Sequence, residues 1–586
     1  MANSSAPIPP AFVRTFSVTY EIDFGEYFDY ATLSRHLTGL AAAYPALAAL
    51  DVIGSSWRGR DIFCMTLTNG ATGPHDSKPA FYIDGGIHAE EVATTQTAVY
   101  TIWYLLTQYG DDAEVTWLLD NLAFYIIPRI NPDGAEISLK TAHHWCGNGR
   151  CLPGEEQTRG LCQHDIDGDG LIVQMRLKDP AGEWRVSPDD PRLMIQREPG
   201  EIDQGPYYRL YREGEIRGEW DGVHFEVEKP RDGNLNRNFP AGWRPEFRQY
   251  GAGDAPLSEP EAKAVADFIL AHPNISGMQC YHTHGGLHLR PSLVEADSSL
   301  PRFDLAVYNR IGAMGTALTG YPVISVYEEF TTDPDQPRVG SLMQWTYDEF
   351  GIITFSTELW NPELAAGIEF PAKYQVRARS TEDEIKLLQY NDEHLGGAGF
   401  VDWRPFDHPQ LGQVEIGGWT HMYTFRNPPP VSLAKTTKAK TFLFETMHQN
   451  CLFTLKHAMT APRLRISDVT VAKLADELFK LSLTVANDGF LPTHLTQRAL
   501  QHETAGPVII ELSADAADIE MGKARQSIGH LAGRDERDAT WSPWMRQWSA
   551  TSAKVEWLLR ARPGANVTLC ASAQKAGRQA HVVTLQ

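Results

Sequence analysis

At 586 residues the chain is too long for one ordinary core, so two or three domains are expected. Hydrophobic residues make up 42% of it, a normal share for a globular protein, which argues against broad disorder. A net charge of −22 and a pI near 5.4 argue against nucleic acid and anionic membrane as partners. No apolar run approaches the ~18 residues of a membrane span. Met1 to Ser17 lacks a cationic start followed by an apolar stretch, so a cytoplasmic location is expected, with an export history left open. Seven cysteines do not suggest a disulfide scaffold. Cys146, Cys151 and Cys162, near His143, His144 and His164, are expected to be thiols or one local disulfide; a second, structural zinc is the alternative.

In chain order, the first ~400 residues alternate strand-like and helix-like segments, as in a mixed α/β sheet with helices on both faces. Ala80 to Asp84 reads as a buried strand broken by Gly85 and Gly86. Val92, Val99, Ile102, Trp103 and Leu106 fall at helical spacing and predict a helix over 92–108. Leu122 to Pro128 is a second buried strand, ended by a turn at Asn131-Pro132-Asp133-Gly134. The charged, glycine-rich stretch from Gly134 to Asn234 has little periodicity and reads as an insertion. Ser258 and Glu261 suggest a capping box opening a helix through about Leu270. Met278–Tyr281 and Ile352–Phe355 are further core strands. From about Arg463 the pattern changes: Leu481, Leu483 and Val485 alternate with polar residues, and later runs (508–510, 555–557, 581–585) are also strand-like. A β-sandwich is predicted there.

The chemistry concentrates in four places. In Gly85-Gly86-Ile87-His88-Ala89-Glu90-Glu91 a strand ends, glycines turn the chain, and an imidazole and a carboxylate follow three residues apart. On a first helical turn those side chains share a face and can reach one ion, and catalytic zinc accepts two His and one Glu with a position left for water. Downstream come Gly233-Asn234-Leu235-Asn236-Arg237-Asn238-Phe239-Pro240, then Tyr281-His282-Thr283-His284 with His288 and Pro291, and last Thr354 to Trp360 with Glu358 at the end of an apolar strand. Alternation cannot choose among His282, His284 and His288, because all three share one strand face.

Together, in this order, these motifs resemble the carboxypeptidase A type of zinc metallocarboxypeptidases, in a bacterial branch with a long insertion and a β-sandwich tail. The resemblance implies an α/β fold, a mixed eight-stranded-type sheet flanked by helices, followed by the all-β sandwich. It implies an extension at 1–15, a catalytic domain at 16–460 with its insertion at about 135–232, and the sandwich at 461–586. One Zn2+ per chain would be held by His88, Glu91 and His282; the last is chosen because it precedes Thr283 and stands nine residues before Pro291. His284 and His288 then line the pocket or pack beneath it.

The resemblance makes Glu358 the general base. It also makes Asn236 and Arg237 the grip on a substrate's terminal carboxylate, which a planar guanidinium can bind with two parallel hydrogen bonds. The family's further cation for the oxyanion lies upstream of that Asn-Arg pair; Arg176 is the candidate and Arg129 the alternative. The tyrosine that covers the substrate maps to Tyr327, across an inserted loop from Thr331 to Val339. Leu342 and Met343 straddle the position facing the substrate's last side chain and favour an apolar one.

Two departures stand out. Asn234 occupies the place of an aspartate that orients the first zinc histidine, unless Asp232 substitutes, and no tyrosine lies between Glu328 and Trp345. Separately, Asp165, Asp167 and Asp169 with Gly170 and Ile172 resemble a Ca2+ loop, although Arg176 stands where its bidentate glutamate belongs.

The function expected is hydrolysis of the C-terminal peptide or isopeptide bond of a peptide-like substrate. The alternatives are an amidase acting on a cell-wall peptide or acylated amino acid, and a catalytically dead peptide-binding protein.

Overall fold

The computed structural model describes residues 20–150, 159–202, 204–222, 224–227, 233–331, 333, 335–369, 379–513, 517–534 and 550–586. The extension at 1–15, Cys151 and Asp232 fall outside them.

The centre is an eight-stranded mixed sheet. Its strands in chain order are β1 (Ala48–Ser55), β2 (Asp61–Leu67), β3 (Ala80–Asp84), β4 (Ala123–Ile127), β5 (Ile275–Thr283), β6 (Leu287–Arg290), β7 (Val323–Ser325) and β8 (Ile353–Leu359). In space they run β1-β2-β4-β3-β5-β8-β6-β7. The middle strands β4, β3, β5 and β8 are mutually parallel, and antiparallel pairs form at β1/β2, β2/β4 and β8/β6. Every residue of β3, β4, β5 and β8 is buried. This explains why these strands read as continuous apolar runs, since a parallel sheet covered on both faces has no polar side to show.

The helices Val92–Gln108 and Ala439–Ala458 cover one face, packing Val99, Ile102, Leu106, Leu443 and Met447 against Phe81, Ile83, Phe124 and Ile126. On the other face Pro260–Ala271, Arg302–Thr319 and Leu342–Phe350 meet Tyr82, Tyr125, Met278 and Phe355. Among the described residues no helix is long and apolar enough to cross a membrane.

Two local readings change. Asn131-Pro132-Asp133-Gly134 opens the helix Pro132–Lys140: Asn131 caps it by accepting from the Gly134 N–H, and Pro132 supplies a preset φ at its first position. The helix at 260 starts after Glu259 with Pro260 in its first turn, and Ser258 makes no capping box there.

The insertion is a β structure. Gln174–Lys178, Trp184–Val186, Met194–Gln196 and Tyr207–Arg212 join the distant hairpin Phe400–His408 and Gly412–Trp419 in one six-stranded sheet. The C-terminal region holds two four-stranded antiparallel sheets, whose facing sides enclose Phe479, Leu481, Leu483, Val485, Ile510, Trp557, Leu559 and Leu569. Lys575 crosses from this region to donate to the Ile275 carbonyl of β5 at 2.9 Å, and Thr496 donates to Gly351 O at 2.7 Å.

Candidate metal centre

The centre forms where the parallel strands end, the edge at which open α/β sheets place their ligands. Gly85 and Gly86 close β3. A Cβ on Gly85 would stand 2.7 Å from Thr94 O, and Gly86 has φ +63°, so both positions favour glycine. The turn that follows holds His88 and Glu91 three residues apart, closed by Glu91 N–H donating to His88 O at 3.3 Å. It precedes the helix, with Glu91 at the N-cap, so a turn and not a helical face brings the pair together. His282 lies near the end of β5, directly paired with Glu358 of β8.

Three donor atoms converge. His88 Nδ1 and His282 Nδ1 are 3.2 Å apart; Glu91 Oε1 is 3.0 Å from the first and Glu91 Oε2 3.1 Å from the second. Zinc bonds of about 2.0–2.1 Å in a tetrahedron require ligand atoms roughly 3.3 Å apart, so the spacing fits the ion. The electrostatics also ask for a positive charge. Burial works to deprotonate His282, but the hydrogen bond and charge of Glu91 outweigh it and raise its pKa to about 9. His88, where burial dominates, is lowered. Glu91, although buried, is held below the usual carboxylate range by the two histidines. Two imidazoles and a carboxylate are the donor set of a catalytic zinc, and His88, Glu91 and His282 would hold it.

His88 Nε2 lies 3.2 Å from Asn234 Oδ1, so Asn234 orients the ring as a neutral acceptor in place of the aspartate. Glu358 faces the same space; burial, then the Glu91 carboxylate, raises its pKa above the usual carboxylate range. These residues line a cavity of about 420 Å³ together with Asn236, Arg237, His284, Arg338, Met343, Ser356, Arg426 and Cys146. Asn236 accepts from the Leu342 N–H at 2.9 Å and Arg237 donates to Asn236 O at 2.6 Å, which holds the pair at the wall. Burial, then Arg338, lowers the Arg237 pKa to about 10.

Several expected residues sit elsewhere. Arg176 lies in the six-stranded sheet, bonded to Glu415 at 2.8 Å and stacked on Tyr208 and Trp403, so it is not part of the cavity wall. The insertion folded into its own sheet and carried Arg176 with it. Arg129 is buried below, donating to Thr95 and to Phe28 O. Tyr327 anchors its turn through its N–H to Ser292 O, while Val326 and Phe330 of that turn line the cavity instead. Of the two specificity positions Met343 lines the cavity and Leu342 is buried beside it. His284 lines the cavity, whereas His288 packs against Phe453 between Thr357 and Thr319.

The Asp165–Asp169 turn is held by its own Gly168 and Gly170 amides, and Arg404 pairs with both Asp167 and Asp169, supplying the charge a calcium ion would bring. Asp165 and Asp167 do approach Glu213, but nothing further points to calcium. Among the described residues Cys146 and Cys162 join no metal-ligating group with the nearby histidines. Arg338 and Arg426 are the cavity cations that sequence reasoning missed; both lie outside the four motifs.

Comparison with known proteins agrees with this geometry. A zinc carboxypeptidase family model matches residues 33–169 and 211–378, and a domain of unknown function matches 463–584. Carboxypeptidase A1 of Rattus norvegicus is 24% identical over 383 residues, which is 65% of this chain and 73% of that protein. An inactive metallocarboxypeptidase of Saccharomyces cerevisiae is 33% identical over 133 residues, 23% of this chain and 31% of that protein. Carboxypeptidase B of Astacus astacus is 34% identical over 125 residues, 21% of this chain and 39% of that protein. The match thus spans well under half the length of these last two relatives. The crystal structure of thrombin activatable fibrinolysis inhibitor aligns over 74% of each chain with a TM-score of 0.43 at 16% identity. With the family model covering more than half of its residues, the chain belongs to the zinc carboxypeptidase family.

Proposed function

We propose that this protein is a zinc-dependent carboxypeptidase that removes the C-terminal residue of a peptide-like substrate. The observation that carries the reading is one cavity holding a zinc-competent donor triad, a carboxylate poised as base, and an Asn-Arg pair able to grip a terminal carboxylate. An Arg237 fork on the substrate's free carboxylate fixes the last peptide bond near Glu358, which makes the enzyme an exopeptidase. Held by His88, Glu91 and His282, a zinc ion would supply Lewis acidity to the scissile carbonyl and to water. Glu358 takes the proton from the attacking water and delivers it to the leaving amine. Met343 on the wall favours an apolar terminal side chain. We take 16–460 as the catalytic unit and 461–586 as a separate sandwich.

The test is a substrate panel with zinc-loaded wild type and Glu358→Gln: simple peptides, their C-terminal amides, branched cell-wall peptides and acylated amino acids. The reading expects free-acid peptides to be cleaved, amides to be spared, and the variant to lose at least about 10²-fold in kcat. Cleavage of amides as readily as acids, or full activity in Glu358→Gln, contradicts it. Cleavage of only branched peptides or acylated amino acids would make it an amidase. Binding without hydrolysis by zinc-loaded protein would make it a peptide-binding relative.

A further inference from the structure

The cavity has a cation that the four motifs do not contain. Arg426 ends the turn Met422–Arg426, which follows the hairpin of the six-stranded sheet and lies beyond residue 378, where the family match ends. Its guanidinium is clamped beside two of the metal-ligating residues. Nη2 pairs with Glu90, the residue before Glu91, at 2.7 Å; Nη1 donates to the backbone oxygen of Thr283, the residue after His282, at 3.2 Å.

The turn itself is fastened to the same place. Asn427 Nδ2 donates to Glu90 O at 2.9 Å, and Asn427 Oδ1 accepts from Ala93 N–H at 3.0 Å. An arginine has five N–H donors, so these two contacts fix the head and leave donors to face the cavity. The side chain remains 37% exposed, and Arg426 lines the cavity with Glu358 and the donor triad.

Three other arginines are held by partners of their own. Arg129 and Arg176 are tied down outside the cavity, and Arg150 pairs with Glu259 and Asp254. Among the described residues the arginines lining the cavity are Arg237, Arg338 and Arg426. Arg237 stands at the carboxylate grip, and Arg338 is exposed on the loop before Gly340.

We propose that Arg426 donates to the substrate carbonyl oxygen as it becomes an oxyanion, making it the electrophilic catalytic residue of this chain. The proposal rests on the zinc carboxypeptidase reading. In the step concerned, the water oxygen bonds to the carbonyl carbon and the π pair moves onto the carbonyl oxygen facing Arg426. The water proton passes to Glu358. Collapse then breaks the C–N bond, and the amine takes that proton. A fixed donor aimed at developing charge costs no reorganisation during reaction, and losing one typically costs 10²–10³ in rate. The insertion sheet thereby acquires a role: its hairpin delivers the arginine that the displaced Arg176 cannot provide.

Zinc-loaded wild type, Arg426→Ala and Arg426→Lys would be compared on N-acyl dipeptides with different C-terminal residues. Calorimetry would add the affinities of a glycyl-phenylalanine phosphonate isostere, which mimics the tetrahedral species, and of free phenylalanine. The expected result for Arg426→Ala is unchanged zinc content and melting temperature, KM within about threefold, and kcat lower by about 10²–10³. Phosphonate binding should weaken by a similar factor while phenylalanine binding holds. Arg426→Lys should fall between, and added guanidinium ion should restore part of the alanine variant's rate. Wild-type kcat in Arg426→Ala overturns the proposal, as does equal weakening of phosphonate and phenylalanine. A wild type that binds zinc but cleaves no dipeptide contradicts the carboxypeptidase reading instead, and the two affinities still decide the role of Arg426.

Discussion

Replacing Asn234 by aspartate should tighten zinc binding. Asn234 Oδ1 is 3.2 Å from His88 Nε2 and also accepts from the Asn236 N–H at 2.9 Å, so an aspartate of the same shape keeps both contacts. It forfeits a long contact from Nδ2 to Cys146 Sγ at 3.5 Å. A charged acceptor makes a hydrogen bond roughly twice as strong as a neutral one, and it raises the basicity of the ligating nitrogen across the ring. The half-buried position and nearby Arg237 limit the cost of the new charge. A gain of about 1.4 kcal/mol, or roughly tenfold in zinc affinity, follows. Asn234→Ala should lose about 10- to 100-fold, since the ring is then free to turn. Competition against a fluorescent zinc chelator at neutral pH measures both. An aspartate variant within threefold of wild type, or weaker at unchanged melting temperature, would refute the idea that Asn234 works through His88.

Two further outcomes are expected elsewhere in the molecule. Met343→Asp places a carboxylate on the cavity wall and should shift preference from apolar toward Lys or Arg C-terminal residues, by roughly 10- to 100-fold in the ratio of kcat/KM values; an unchanged ratio would mean another residue faces the terminal side chain. Lys575 is buried and donates to Ile275 O, and burial lowers its pKa to about 7. Between that value and its ordinary 10.5 the unfolded chain binds the proton and the folded one does not, so this group makes stability rise with pH across that window and imposes its full penalty below it. At about 1.4 kcal/mol per pH unit the penalty is at most roughly 5 kcal/mol. Lys575→Met removes it but orphans the Ile275 carbonyl at about 1–3 kcal/mol. The variant should therefore gain stability at pH 6 and lose most of that gain by pH 9, as read by urea denaturation; a gain that grew with pH would contradict the sign.

Much of the site was legible because its chemistry is local. His88 and Glu91 sit in one short turn after a glycine pair, and His282 and Glu358 are direct neighbours at the ends of buried strands that announce themselves by continuous apolar runs. What sequence reasoning missed was set by distant contacts. Arg426 reaches the cavity only because residues 400–419 pair with the insertion strands, and no motif marks that pairing. The same pairing withdrew Arg176, whose position in the chain suggested the opposite. Insertion strands such as Trp184–Val186 and Met194–Gln196 are too short to show an alternating pattern. Asn131 to Gly134 was ambiguous for a physical reason: Asn, Pro and Asp favour both turns and helix starts, and the tertiary context chose the helix.

The central claim is that His88, Glu91 and His282 hold one catalytic zinc. Metal content by mass spectrometry, on wild type and His282→Ala after dialysis against trace zinc, tests it most directly. The account predicts about one zinc per chain in the wild type, lost in the variant together with peptide hydrolysis. Zinc retained in full by His282→Ala, or a wild type that takes up none, would contradict it.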